Sequence, residues 1–214
     1  MFQLKSTCII ATAIMFEVAH STDILLESFS NPQHTWVQMN DPVMGGKSTG
    51  SFNLDNDTGV MNGNVAIVPF LQGPGFIKAE TSTRGETTPW PDVSTCTGIG
   101  LTVRSQTEYD GYRISFGKNK PPGGFRYIYG YKADFFPPVS STTFGDVEIP
   151  FTDFSYDWDP ATGDQITTCS ENSSNCPDVG TLKDLVSIGV WGEGVVGDVV
   201  LEIQNIYAYG CANV

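Results

Sequence analysis

The sequence predicts an all-β fold, a sandwich or barrel, on three observations. Candidate strands recur roughly every 8–12 residues with turn residues between them. Twenty-three glycines and 13 prolines interrupt a chain of 214 residues, as short strands and tight turns require. Helical periodicity is nearly absent, and its best instance, Thr181–Val186, has room for about one or two turns. The length suits one domain with a buried core of its own.

The elements follow in chain order. Thr49-Gly50-Ser51-Phe52 is strand-like, and Asp55–Gly59 reads as a turn, with Asn62-Gly63 close behind. Leu101–Ser105 and Tyr112–Phe116, joined through Asp110-Gly111, read as a hairpin whose Asp-Gly pair supplies the positive φ angles of a tight turn. In its second strand Tyr112, Ile114 and Phe116 share one face, and Arg113 and Ser115 the other. Tyr127–Tyr131 and Val147–Phe151 alternate in the same way. Ile188–Trp191 reads as a buried strand, and Val199–Ile203 and Ile206–Tyr209 as closing strands. The long polar stretch Asp157–Gly180 carries two cysteines and reads as a stapled excursion rather than a boundary.

Composition narrows the function classes. The formal net charge is −13 and the pI about 4.3, a surface that repels phosphate backbones and anionic membranes. Nucleic acid is therefore excluded as a partner. Residues 1–21 read as a signal peptide: Lys5 supplies a basic n-region, Cys8–Phe16 a short apolar stretch, and Ala19-His20-Ser21 a small-x-small cleavage site. That stretch is far shorter than the ~20 residues of a membrane span, and no other segment could insert. The reading is thus a secreted or lumenal protein with a single domain over residues 22–214, expected as a monomer.

Cysteine usage agrees with export. Once Cys8 leaves with the signal, four cysteines remain, which allow three pairings. Cys169–Cys176 would close a short polar loop, and Cys96–Cys211 would tie the last strand to the middle of the chain. A zinc site lacks any Cys-x-x-Cys and has only His34 to draw on. Asn56-Asp57-Thr58 and Asn172-Ser173-Ser174 are N-glycosylation acceptors.

Catalytic and metal motifs are poorly supported. Gly46-Lys47-Ser48 lacks the upstream glycine of a phosphate loop, since position 41 is Asp41. His34, in a polar stretch expected at the surface, is the one imidazole available to activate a nucleophile. A carboxylate-pair glycosidase has acids enough, but nothing singles out two of them. No cofactor is expected. A structural calcium could draw on Asp153, Asp157, Asp159 and Asp164, whereas the Asp55–Gly59 segment lacks the rest of a calcium loop. The candidate ligand-binding residues are Tyr127, Tyr129 and Tyr131, three tyrosines at period two, with Trp90, Trp158 or Trp191 as companions. Exposed, they make a stacking platform for sugar rings; buried, they are core.

One string is distinctive: Trp36, then Asn40-Asp41-Pro-Val-Met44-Gly45-Gly46-Lys-Ser48. It resembles the N-terminal signature of the complex I intermediate-associated protein 30 family. Gly75-Phe76, Tyr112–Phe116, Phe144–Phe154, Ile188-Gly189 and Gly197–Ile206 follow in the family's order, covering roughly residues 29–209. The resemblance implies a two-sheet antiparallel jelly-roll β-sandwich of galactose-binding-like type, and a non-catalytic role as an assembly factor or chaperone-like scaffold for respiratory complex I in mitochondria. The fold is also similar to carbohydrate-binding modules. The motif itself reads as structural, a turn in which Asn40 and Asp41 cap backbone groups and glycine permits unusual angles. The leader, the cysteine pairs and the glycosylation acceptors depart from a matrix protein. The expected function is a scaffold that binds a protein partner in the secretory pathway, with a secreted carbohydrate-binding protein as the alternative.

Overall fold

The computed structural model describes residues 21–41, 45–82, 88–118, 130–159 and 161–212. Two antiparallel sheets face each other as a jelly-roll sandwich. Its strands are Ser21–Ser28 (β1), Trp36–Asn40 (β2), Thr49–Asp55 (β3), Thr58–Val65 (β4), Ile67–Val68 (β5), Gly73–Pro74 (β6), Phe76–Thr81 (β7), Gly98–Ser105 (β8), Tyr112–Phe116 (β9), Tyr131–Asp134 (β10), Gly145–Pro150 (β11), Ile188–Glu193 (β12) and Gly197–Ala212 (β13). The larger sheet runs β11-β8-β13-β4-β3, with β1 also on β13; the smaller runs β10-β9-β12-β7-β2; β5 and β6 form a separate ribbon.

Alternation builds the core. Ile99, Leu101 and Val103 of β8 and Val199, Leu201 and Ile203 of β13 point inward from one sheet. Ile77 and Ala79, Tyr112, Ile114 and Phe116, and Ile188 and Val190 meet them from the other; all are buried. Burying each large side chain contributes about 1.5–3 kcal/mol.

Two expectations need correction. The segments 101–105 and 112–116 are not a hairpin: β8 pairs with β11 and β13, β9 with β10 and β12, so Asp110-Gly111 carries the chain from one sheet to the other. Both strands alternate as a hairpin would, but their apolar faces look at each other across the core. The two closing strands are one strand of 16 residues, kept continuous by a register shift between Ile203 and Asn205. The first half of β13 pairs with β4 and the second with β1. The helix near residue 181 is a single turn, Val179–Lys183, capped by the Asp178 side chain.

The turn expected at 55–59 joins β3 to β4, with Asn56 and Asp57 at φ of 45° and 63°. The cysteines pair as Cys96–Cys211 and Cys169–Cys176. Residues 1–20, where most of the expected signal peptide falls, lie outside the described residues. Among the described residues, no helix is long and apolar enough to cross a membrane.

The registers fix one further feature. Asn40, Phe76, Tyr112, Asp134 and Glu193 end the smaller sheet on the same side where Thr49, Val65, Ser105, Gly145 and Gly197 end the larger one. Five connections, 41–48, 66–75, 106–111, 135–144 and 194–196, therefore cluster at one end of the sandwich, called here the loop end.

Candidate functional site

The outer face of the smaller sheet is where the expected aromatic platform would have to lie. Lys78, Arg113, Ser115, Lys132, Trp191 and Glu193 point out from it, yet all are buried. They are covered by the start of the excursion after β11. Ser155 exchanges two backbone hydrogen bonds with Lys132, and Trp158, held by Nε1–H donation to the Ser155 carbonyl at 2.8 Å, lies over the cations. The Lys132 ammonium sits 5.0 Å from the Trp158 ring and 4.6 Å from Trp191, and Arg113 lies 5.1 Å from Trp158.

Carboxylates balance these charges. Glu193 accepts from Lys132 at 2.5 Å and from Arg113 at 3.5 Å, and Asp134 accepts from Arg113 at 2.8 Å. Glu80 accepts from Lys78 at 2.7 Å. Burial pulls the Lys132 ammonium below its usual pKa, against the opposing pull of Glu193. The cluster is a closed network of paired charges. Its cations are buried and occupied by carboxylates, of which Asp134 and Glu80 reach the surface at the edge of the cluster.

The sequence-predicted rings are accordingly not an exposed platform. Tyr131 faces the core at 2% exposure, packs against Phe116, and donates its hydroxyl to Asp178 at 2.9 Å. Trp158 and Trp191 lie beneath or within the excursion, at 3% and 2% exposure. Trp90 is buried elsewhere, stacked on His34 at 3.8 Å. Tyr127 and Tyr129 lie outside the described residues. Period-two spacing gave Tyr131 a face but could not say that this face is the core, nor that a later segment would roof the opposite one.

His34 also departs from expectation, being buried rather than at the surface. Its Nδ1 pairs with the fully buried Glu27, whose carboxylate further accepts from the backbone N–H groups of Ser28, Gln33 and His34 and from Trp36 Nε1. No hydroxyl or thiol nucleophile is bonded to this imidazole among the described residues. Of the acids proposed for calcium, Asp159 is engaged in capping the backbone N–H groups of Ala161 and Thr162. Among the described residues, no group of three or more His, Cys, Asp or Glu is placed to hold a metal.

The distinctive string builds the loop end. Asp41, fully buried, accepts from Ser48 N at 2.8 Å, Ser48 Oγ at 2.6 Å and Phe76 N at 3.3 Å. Ser48 Oγ in turn accepts from Ala66 N. Asp41 and Ser48 together thus tie the 41–48 connection to both ends of the 66–75 connection. Gly46 and Gly75 are required by its closeness, since a Cβ would stand 2.1 Å from Asp41 Cγ at position 46 and 1.5 Å from Asp41 Oδ2 at position 75. Gly45 adopts φ +86°. Asn40 donates to the Gly50 carbonyl, and Trp36 packs between Phe29 and Phe52. Met44 lies outside the described residues.

On this scaffold the loop end exposes apolar side chains: Phe70 at 64% and Phe136 at 67%, with Leu71, Val139, Val195 and Val196. Between the 106–111 and 136–139 segments opens a cavity of about 360 Å³ lined by Glu108, Tyr109, Asp110, Tyr112, Phe136 and Val139 among others. Tyr109 donates to the Val195 carbonyl, and burial raises its pKa above the usual range. A second depression, of about 380 Å³, lies on the outer face of the larger sheet, where Arg104 rests on Phe144 and donates twice to Glu202 beside Asn62, Gln106 and Gln204. Sequence reasoning missed both. The available signal was Phe136-Pro137-Pro138-Val139, an apolar run with no alternation, which reads as a loop carrying hydrophobic side chains.

The sandwich is similar to the family 11 carbohydrate-binding module from Clostridium thermocellum in complex with a β-1,3-1,4-mixed-linked tetrasaccharide. The TM-score is 0.54 at 16% identity, over 90% of this chain and 98% of that one. The solution structure described as CtCBM11 gives a TM-score of 0.50 at 13% identity, over 92% and 100%. At such identities the likeness is one of fold, a galactose-binding-like jelly roll. Comparison with curated proteins found none that matches. The family model described as Complex I intermediate-associated protein 30 matches residues 27–170, well over half of the sequence, and the chain belongs to that family.

Proposed function

We propose that this chain is a non-catalytic binding module that holds a protein partner at its loop end. The observation that carries the reading is a contrast of exposure. The rings of the smaller sheet's outer face are buried under the excursion, while Phe70, Phe136, Val139, Val195 and Val196 are exposed together on connections that converge at one end. Apolar side chains gathered on a rigid frame mark an interaction surface. Association with another protein, of the kind the family description names, is consistent with this. Residues 1–21 act in this reading as a leader and residues 22–214 as the exported module, where an oxidising compartment supports the two disulfides.

The test is capture of partners by the purified protein and by a Phe136→Ser/Val139→Ser variant, with circular dichroism to check that both fold. Loss of a specific partner in the variant supports the reading; identical captured sets reject it. A fluorescent fusion found in mitochondria would reject export.

Glycan binding is the second reading. It is favoured by the depression around Phe144, where amides and an Arg–Glu pair border one aromatic ring. Binding on a glycan array that is lost in Phe144→Ala would establish it over the first.

A further inference from the structure

We propose that the loop-end cavity receives a cationic side chain, lysine or arginine, from the protein partner. The inference rests on the loop-end reading and names the chemistry of that contact. Glu108 and Asp110 flank the cavity, are exposed, and have no hydrogen bond or ion pair among the described residues. The hydroxyls at its floor are already engaged: Tyr109 donates to Val195 O, Tyr112 shares a 2.7 Å hydrogen bond with Ser105, Ser105 donates to Thr107 O, and Thr107 Oγ1 is bonded to Val200 N. The unpaired side chains there therefore only accept. A sugar hydroxyl seeks both donors and acceptors, whereas ammonium and guanidinium groups only donate.

The rings favour the same occupant. Phe136 and Tyr109 present aromatic surface beside the two carboxylates, an arrangement that attracts a desolvating cation through charge and ring quadrupole together. Arg113, on the neighbouring strand end, is paired with Asp134 and Glu193 and has no ion pair to Glu108 or Asp110. The overall charge of −13 draws a basic partner in from a distance. Phe136 and Val139 supply the apolar rim on which the rest of such a segment rests.

The experiment is fluorescence anisotropy with the purified full-chain product and a labelled hexapeptide of alternating arginine and leucine, at about 0.15 M salt. A glutamate–leucine peptide is the reverse-charge control. The expected result is binding of the basic peptide alone, weakened about tenfold by Glu108→Gln/Asp110→Asn. A Glu148→Gln/Asp153→Asn variant removes equal charge from exposed positions near the opposite end, and should change affinity by less than about twofold. Equal weakening in both variants would mean general attraction to an acidic surface and would overturn the inference. No weakening in the Glu108/Asp110 variant would overturn it too. If Phe136→Ser/Val139→Ser abolishes partner capture while the Glu108/Asp110 variant keeps it, the docking surface stands and the cation pocket falls. If neither affects capture, both fall.

Discussion

Asp41 joins three donors from two connections without access to water, so its replacement leaves those donors unmatched. Asp41→Ala should cost about 3 kcal/mol or more in urea unfolding, each stranded group contributing about 1–3 kcal/mol. Gly75→Ala should also destabilise, by overpacking, because the new methyl group would overlap the Asp41 carboxylate. A different residue-scale outcome concerns the two glycosylation acceptors. The Ser174 hydroxyl donates to the Asn172 side chain at 2.7 Å on an exposed turn, whereas Thr58 is buried and donates to the Asp55 carbonyl. Mass spectrometry of secreted protein should find Asn172 occupied more fully than Asn56; equal occupancy would contradict this.

At the scale of elements, the two disulfides should differ in worth. Cys96–Cys211 spans 115 residues and Cys169–Cys176 spans 7, so loop-closure entropy assigns them about 5 and about 2 kcal/mol. Paired serine substitutions followed by thermal unfolding should rank them in that order. Trp158→Ala should cost about 3–5 kcal/mol, since it unroofs Lys132 and Arg113 as well as leaving a cavity. The same elements mark what the sequence could convey. Inward and outward faces of Tyr112–Phe116 were legible because alternation is a local property. The partner of that strand was not, since β8 and β9 carry the same pattern whether they pair or face each other. Trp158 was legible as an aromatic, but its position as a roof depends on a chain reversal between Asp157 and Ile166 that no periodicity announces. The converging role of Asp41, Gly46 and Ser48 was half legible: the motif suggested a capped turn, while Gly75, 34 residues on, belongs to the same contact only in three dimensions.

For the whole molecule, alkaline pH should be more damaging than the acidic composition suggests. Partial burial, reinforced by Asp146, Glu148 and Asp23, pushes the Tyr207 phenol up to about 12, and burial raises Tyr109 and Tyr112 as well. The native state thus retains protons that the unfolded chain releases above about pH 10, the ordinary phenol value. The stability linked to Tyr207 is present below pH 10 and declines as pH rises from 10 towards 12. Urea midpoints should fall across that window, and less so in Tyr207→Phe; a flat profile would contradict the assignment. The 16-residue strand β13 has a consequence for biogenesis. It follows β1, β4 and β8 in the chain, yet all three hydrogen-bond to it. The strands made before it must therefore wait, unzipped, until it has been synthesised. A nonsense codon just ahead of Gly197 would leave three orphaned strand edges for the cell's quality control to find.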